Sequence, residues 1–150
     1  MEQHLLKEGP LLNAEGNLDE CGYALSLVKK YDRNLIKAGK SRIKEWDYYY
    51  VGNKERGIAM TIADNGLYGM ASATLFDFRN KTYVEKMTLK AFTFGKVGLP
   101  STSKEGDVTF KNKEVEMSFL HERDARRLLL VWKNFSGEKE LRRISNLARP

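Results

Sequence analysis

From Arg42 onward the chain is a succession of short β-forming runs, each closed by a turn signal, and this pattern limits the fold more than any other feature. Ile43, Trp46, Tyr48, Tyr49, Tyr50 and Val51 favour a strand, and Gly52 closes it. Asn53-Lys54-Glu55-Arg56-Gly57 reads as a hairpin loop. Ile58, Met60 and Ile62 then alternate with Ala59, Thr61 and Ala63, the period of a half-buried strand. Asp64-Asn65-Gly66 is the strongest turn signal, because Asn-Gly suits the primed turns of hairpins, and Asp64 reads as a turn residue bonding its own backbone. Further strands are expected at Leu67 to Phe78, Tyr83 to Phe94, Val108 to Lys111, Val115 to His121 and Arg126 to Lys133. Leu141 to Leu147 fits a last strand or a short helix. The stretch from Gly95 to Gly106 breaks the rhythm as a long loop of the length that carries function or mobility. About eight antiparallel strands with little helix close as a barrel or fold as a sandwich. A closed barrel of that size removes its edges and can enclose one small ligand.

Residues 1–41 read differently, as an extended and turn-rich segment ahead of the β region at 42–150. It contains one short helical stretch at Tyr31 to Ala38, with Asp32 as N-cap and Gly39 as stop. The chain is 150 residues long, a size that suits one domain overall. Cys21 is the one cysteine and there are two histidines, so no disulfide framework, metal site or cofactor is expected. The longest apolar run, Leu128 to Trp132, is far too short to span a membrane, and the first ten residues lack an apolar signal core. A soluble, cytoplasmic protein is the expectation.

The formal net charge is +6 and is unevenly spread. Lys29 to Glu45 carries a net +5, and His121 to Pro150 a net +4. Such stretches attract phosphates or anionic lipid. No recognition helix, glycine-rich phosphate loop or known reading motif accompanies them, so no specific nucleic acid is expected, and a solvated surface is the simpler reading.

The densest chemical feature is Trp46-Asp47-Tyr48-Tyr49-Tyr50. Strand alternation puts Trp46, Tyr48 and Tyr50 on one face and Asp47 and Tyr49 on the other. The three rings, with Thr61 on the small-residue face of the next strand, form the expected ligand-binding set: aromatic bodies to stack an apolar molecule and polar ends to hold its head. Ordinary core packing is the competing reading. Gly69, Ala71 and Ala73, like Ala59, Thr61 and Ala63, leave volume for a cavity or for close packing by larger neighbours. Asp47 in mid-strand needs a partner if buried, and Arg42 or Lys44 is the nearest candidate. His121, at a strand end, is an acid–base candidate without an identifiable second group, and no catalytic residue is assigned.

Several of these segments together resemble a known family. They are Leu11-Leu12 with Gly16-Asn17-Leu18 and Gly22-Tyr23-Ala24; Tyr31-Asp32-Arg33; Arg42 to Tyr50; Thr61 to Gly69; and Gly95-Lys96, Leu99-Pro100 and Gly106-Asp107-Val108. They are similar to a bacterial family of uncharacterised proteins, domain of unknown function 2804. The resemblance implies an all-β fold, an antiparallel meander closing into a lipocalin-like barrel of about eight strands. It implies a distant relation to lipocalin-like two-barrel proteins that handle hydrophobic molecules, among them carotenoid hydratases. It also implies that the chain is the N-terminal half of a longer protein, with a second barrel domain of that protein as a partner. Three functions follow as expectations: binding of a small apolar or amphipathic ligand; hydratase, isomerase or cyclase chemistry using Asp47 or His121; and a basic surface module for nucleic acid or membrane.

Overall fold

The computed structural model describes residues 4–137 and 139–148; the first three residues of the N-terminal stretch discussed above lie outside them. The order of elements is β1 (Gly9–Pro10), β2 (Lys29–Lys30), a 3-10 turn (Arg33–Leu35), β3 (Glu45–Gly52), β4 (Arg56–Asp64), β5 (Tyr68–Asp77), β6 (Thr82–Ala91), β7 (Val108–Lys111), β8 (Val115–Glu122), β9 (Ala125–Ser136) and β10 (Lys139–Ala148). The all-β class and the antiparallel meander are as the alternation predicts. Asp32 caps the 3-10 turn by accepting from the Asn34 N–H, so the cap is where the sequence puts it, but the turn stops at Leu35. The last segment resolves as strand β10.

Closure differs from the expected single barrel. β3-β4-β5-β6 form one sheet and β10-β9-β8-β7 a second, and the described residues form no closed barrel. The reason lies in the segment 92–107, which is no hairpin and so does not return β7 beside β6. It carries the chain across instead, and β7 starts a new sheet. The two inner faces share one core. Ile58, Met60, Ile62, Ala71 and Ala73 of the first sheet pack with Val115, Met117, Phe119, Leu128, Leu130 and Trp132 of the second. Small alanines thus meet large partners, and the volume they leave is filled by side chains.

The start of the crossover is fixed by one buried group. The Asp64 carboxylate, at 0% exposure, accepts four hydrogen bonds. Oδ1 accepts from the Gly66 N–H (2.9 Å) and the Thr93 hydroxyl (3.0 Å), and Oδ2 from the N–H groups of Gly95 (2.8 Å) and Val97 (3.2 Å). The bond to Gly66 is the expected turn bond; the other three belong to the crossover. Only Gly66 within this turn takes a positive φ (+79°), so the turn is not a primed one with both central residues left-handed. Phe92 and Phe94 adopt φ of 58° and 47°, strained for non-glycine residues, in the segment that Asp64 ties down.

The N-terminal segment is tied down by pairing as well. β1 and β2 are parallel, and the Glu20 carboxylate accepts from Lys29 (2.7 Å) and the Lys7 N–H (3.2 Å), with His4 Nε2 at 2.8 Å. Those contacts, led by Lys29, hold the Glu20 pKa down to about 2.

Asp64→Ala leaves several buried donors without an acceptor and should lower the unfolding free energy by about 3 kcal/mol or more. Urea denaturation measures it; a loss below about 1 kcal/mol would show that other contacts hold the crossover.

Candidate functional site

Alternation along β3 sends its side chains to two different environments. Asp47 and Tyr49 point inward, level with Ile62 and Met60 of β4. Trp46, Tyr48 and Tyr50 point outward, level with Ala63, Thr61 and Ala59. The structure therefore brings the four expected ligand-binding residues together, with Tyr48 directly opposite Thr61, on the outer face of the first sheet. The rings are 64%, 56% and 44% exposed, and they are not core-packed.

Trp46 also belongs to a cleft of about 590 Å³ at the start of β3. Its walls are the segment 24–31 with Leu27 and Val28, the strand start Lys44–Asp47, and the crossover stretch Leu99–Ser103. Tyr48, Tyr50 and Thr61 do not line it. The crossover wall is held by Arg126, a buried residue whose guanidinium donates to the carbonyls of Gly106 and Ser103, each at 2.6 Å. At Gly106, φ is +83° and a Cβ would come within 2.8 Å of Pro100, so glycine is required for this wall to fold.

Several of the polar groups that line the cleft interact with one another or are buried. The Tyr31 hydroxyl donates to Glu45 Oε1 (2.5 Å), and Arg33 pairs with the same carboxylate. Burial pushes the Tyr31 phenol up despite Arg33. Asp47 is half-buried, and its Oδ2 is enclosed with no hydrogen-bond partner among the described residues. Burial raises its pKa above the ordinary 3.8, and Arg126 opposes the rise. The cation facing Asp47 thus comes from β9, across the core, rather than from Arg42 or Lys44. Sequence distance concealed it, and Arg126 sits beside Arg127 ahead of the apolar centre of β9, so nothing in the residues singled it out. Burial also raises the Tyr49 phenol, with Arg126 pulling it down and Asp47 pushing it up.

His121 does not line this cleft; its N–H donates to Asp107 Oδ1 (2.6 Å) at the end of β8. The basic stretches are partly self-neutralised. Lys29 pairs with Glu20, Lys30 with Glu8, Arg33 with Glu45, Arg127 with Glu122 and Arg142 with Glu140.

A carboxyl whose folded pKa is raised holds its proton more tightly folded than unfolded. The stability this confers is present at low pH and is lost as pH rises from the ordinary 3.8 through the raised value. Asp47→Asn, which does not ionise, should therefore gain stability on the wild type as pH rises across that window. Thermal melts of both proteins over the acid-to-neutral range check this; a constant difference would show that burial does not perturb Asp47.

Among comparisons with known proteins, the family described as Domain of unknown function (DUF2804) matches residues 2–150. No curated protein and no solved structure matches the chain.

Proposed function

Because the chain belongs to the family Domain of unknown function (DUF2804), whose description carries no activity, we propose a function from the cleft itself: binding of a small apolar or amphipathic ligand. The observation that carries this reading is the composition of the cleft. Leu27, Val28, Leu99, Pro100 and Trp46 supply apolar wall, while Tyr31, Lys44, Glu45 and Asp47, with the hydroxyls of Ser101 to Ser103 opposite, supply polar groups. An apolar wall joined by polar groups that can orient a bound molecule is the usual build of a small-molecule site, and about 590 Å³ is within the usual size. The lipocalin-like relation enters as ligand class; Tyr48, Tyr50 and Thr61 extend the apolar surface outward from Trp46.

A second reading, an enzyme of the hydratase, isomerase or cyclase kind acting on a hydrophobic substrate, rests on Asp47. A carboxyl that keeps its proton above the usual range beside a cleft suits a general acid. Its weakness is the second group, since Tyr31 and Glu45 are engaged with each other.

Titration with the apolar fluorophore N-phenyl-1-naphthylamine tests the first reading. Saturable binding is expected, with Leu27→Asp weakening it by about tenfold or more, because a charge then replaces apolar wall. Mass spectrometry of molecules co-purifying with the protein should return an apolar or amphipathic compound. Binding that is absent, or indifferent to Leu27→Asp, would remove the cleft as the site.

A further inference from the structure

On the outer face of the first sheet most of the large exposed side chains stand on the two edge strands, with Met70 and Phe76 of β5 at the ends between them. Register aligns the face in rows: Trp46, Ala63, Met70 and Leu89; Tyr48, Thr61, Ser72 and Met87; Tyr50, Ala59, Thr74 and Glu85; and Gly57, Phe76 and Tyr83. β3 therefore raises one ridge (Trp46, Tyr48, Tyr50), and β6 a second (Tyr83, Met87, Leu89). Between them β4 and β5 form a trough floored in its middle by Thr61, Ala59, Ser72 and Thr74. Tyr50 leans over Gly57, where a Cβ would lie 2.5 Å from its hydroxyl. Its ring and that of Tyr83 both contact Phe76, at 6.3 and 6.4 Å, closing one end of the trough.

We propose that this face is the interface of a two-fold homodimer, the ridge of one copy seated in the trough of the other. Area supports a second copy as the occupant. Rings of this kind bury roughly 150–250 Å² each. Four of them about half exposed, with Met87 and Leu89, offer on the order of 600 Å². That is at the top of the range for the largest apolar patch on a monomer, and with the trough floor it approaches the roughly 800 Å² per partner of a stable interface. Shape supports it as well, since an isologous contact requires a face that carries both the projection and its complement. Charge supports it too. The chain is strongly basic, yet the single ionised side chain in these rows is Glu85, which accepts from the Thr74 hydroxyl (3.3 Å). Across these rows two copies can meet without a lysine or arginine between them, with Arg56 and Arg143 at the rim. Sheets packed face to face in this way lie about 10 Å apart.

Sedimentation equilibrium of the 150-residue chain from about 1 to 200 µM tests the proposal. A monomer–dimer equilibrium is expected, with a blue shift of Trp46 emission as the dimer fills. Met87→Glu and Leu89→Glu lie on the β6 ridge, are exposed, and belong neither to the cleft nor to the ligand-binding set. Each should weaken the dimer by at least about thirtyfold while leaving the thermal melt and naphthylamine binding unchanged. A chain that stays monomeric throughout, one that forms open-ended aggregates, or a dimer indifferent to both substitutions would overturn it. Because the variants leave the cleft intact, loss of the dimer and loss of ligand binding remain separate results.

Discussion

The buried Asp64 carboxylate decides where one sheet ends and the next begins. A carboxylate enclosed in protein is tolerated when each lone pair finds a donor, and Asp64 finds four. Three of these donors lie in the segment that leaves β6, where Phe92 and Phe94 hold left-handed backbone angles at some cost. The first sheet therefore stops at four strands, and the chain is delivered to the start of β7 rather than back along β6. Arg126 performs the matching task at the far end of the same crossover, donating to the carbonyls of Ser103 and Gly106. One anion and one cation, each buried, fix the two ends of the stretch that walls the cleft.

The two faces of the first sheet show how a single alternation can serve two purposes. Its inner face presents alanines to Phe119, Trp132 and Met117, so its volume is complementary to the second sheet. Its outer face inverts this midway along the strands, where Tyr48 and Met87 at the edges flank Thr61 and Ser72. The inner arrangement leaves little room for a guest inside the sandwich. The cleft opens instead at the end of the sandwich, where the N-terminal segment and the crossover meet β3. Trp46 stands where cleft and outer face join, so it belongs to both surfaces.

Much of this was legible in the residues. Alternation located seven of the eight longer strands, left the last open between strand and helix, and sorted Trp46, Tyr48, Tyr50 and Thr61 onto one face, because a side chain's side of a strand depends on parity alone. Asp32 was recognisable as a cap and Asp64 as a turn former for the same local reason. The cation facing Asp47 was not legible. Arg42 and Lys44 are near it in sequence, while Arg126 reaches it because β9 packs against the first sheet. Barrel closure was not legible either, since eight alternating strands fit a barrel and a pair of sheets equally well.

The sequence by itself determined the class of structure, the strands, their turns and which residues share a face. These are consequences of backbone stereochemistry and period-two patterning, which act over a few residues. The tertiary structure decided which face is buried, which charges meet and where a cleft opens. Those outcomes depend on contacts between residues far apart in the chain: Asp64 with the crossover, Arg126 with the loop carbonyls, and the alanines of one sheet with the large rings of the other. Parity placed Trp46, Tyr48 and Tyr50 together; only the packing of the second sheet against the opposite side left them facing out.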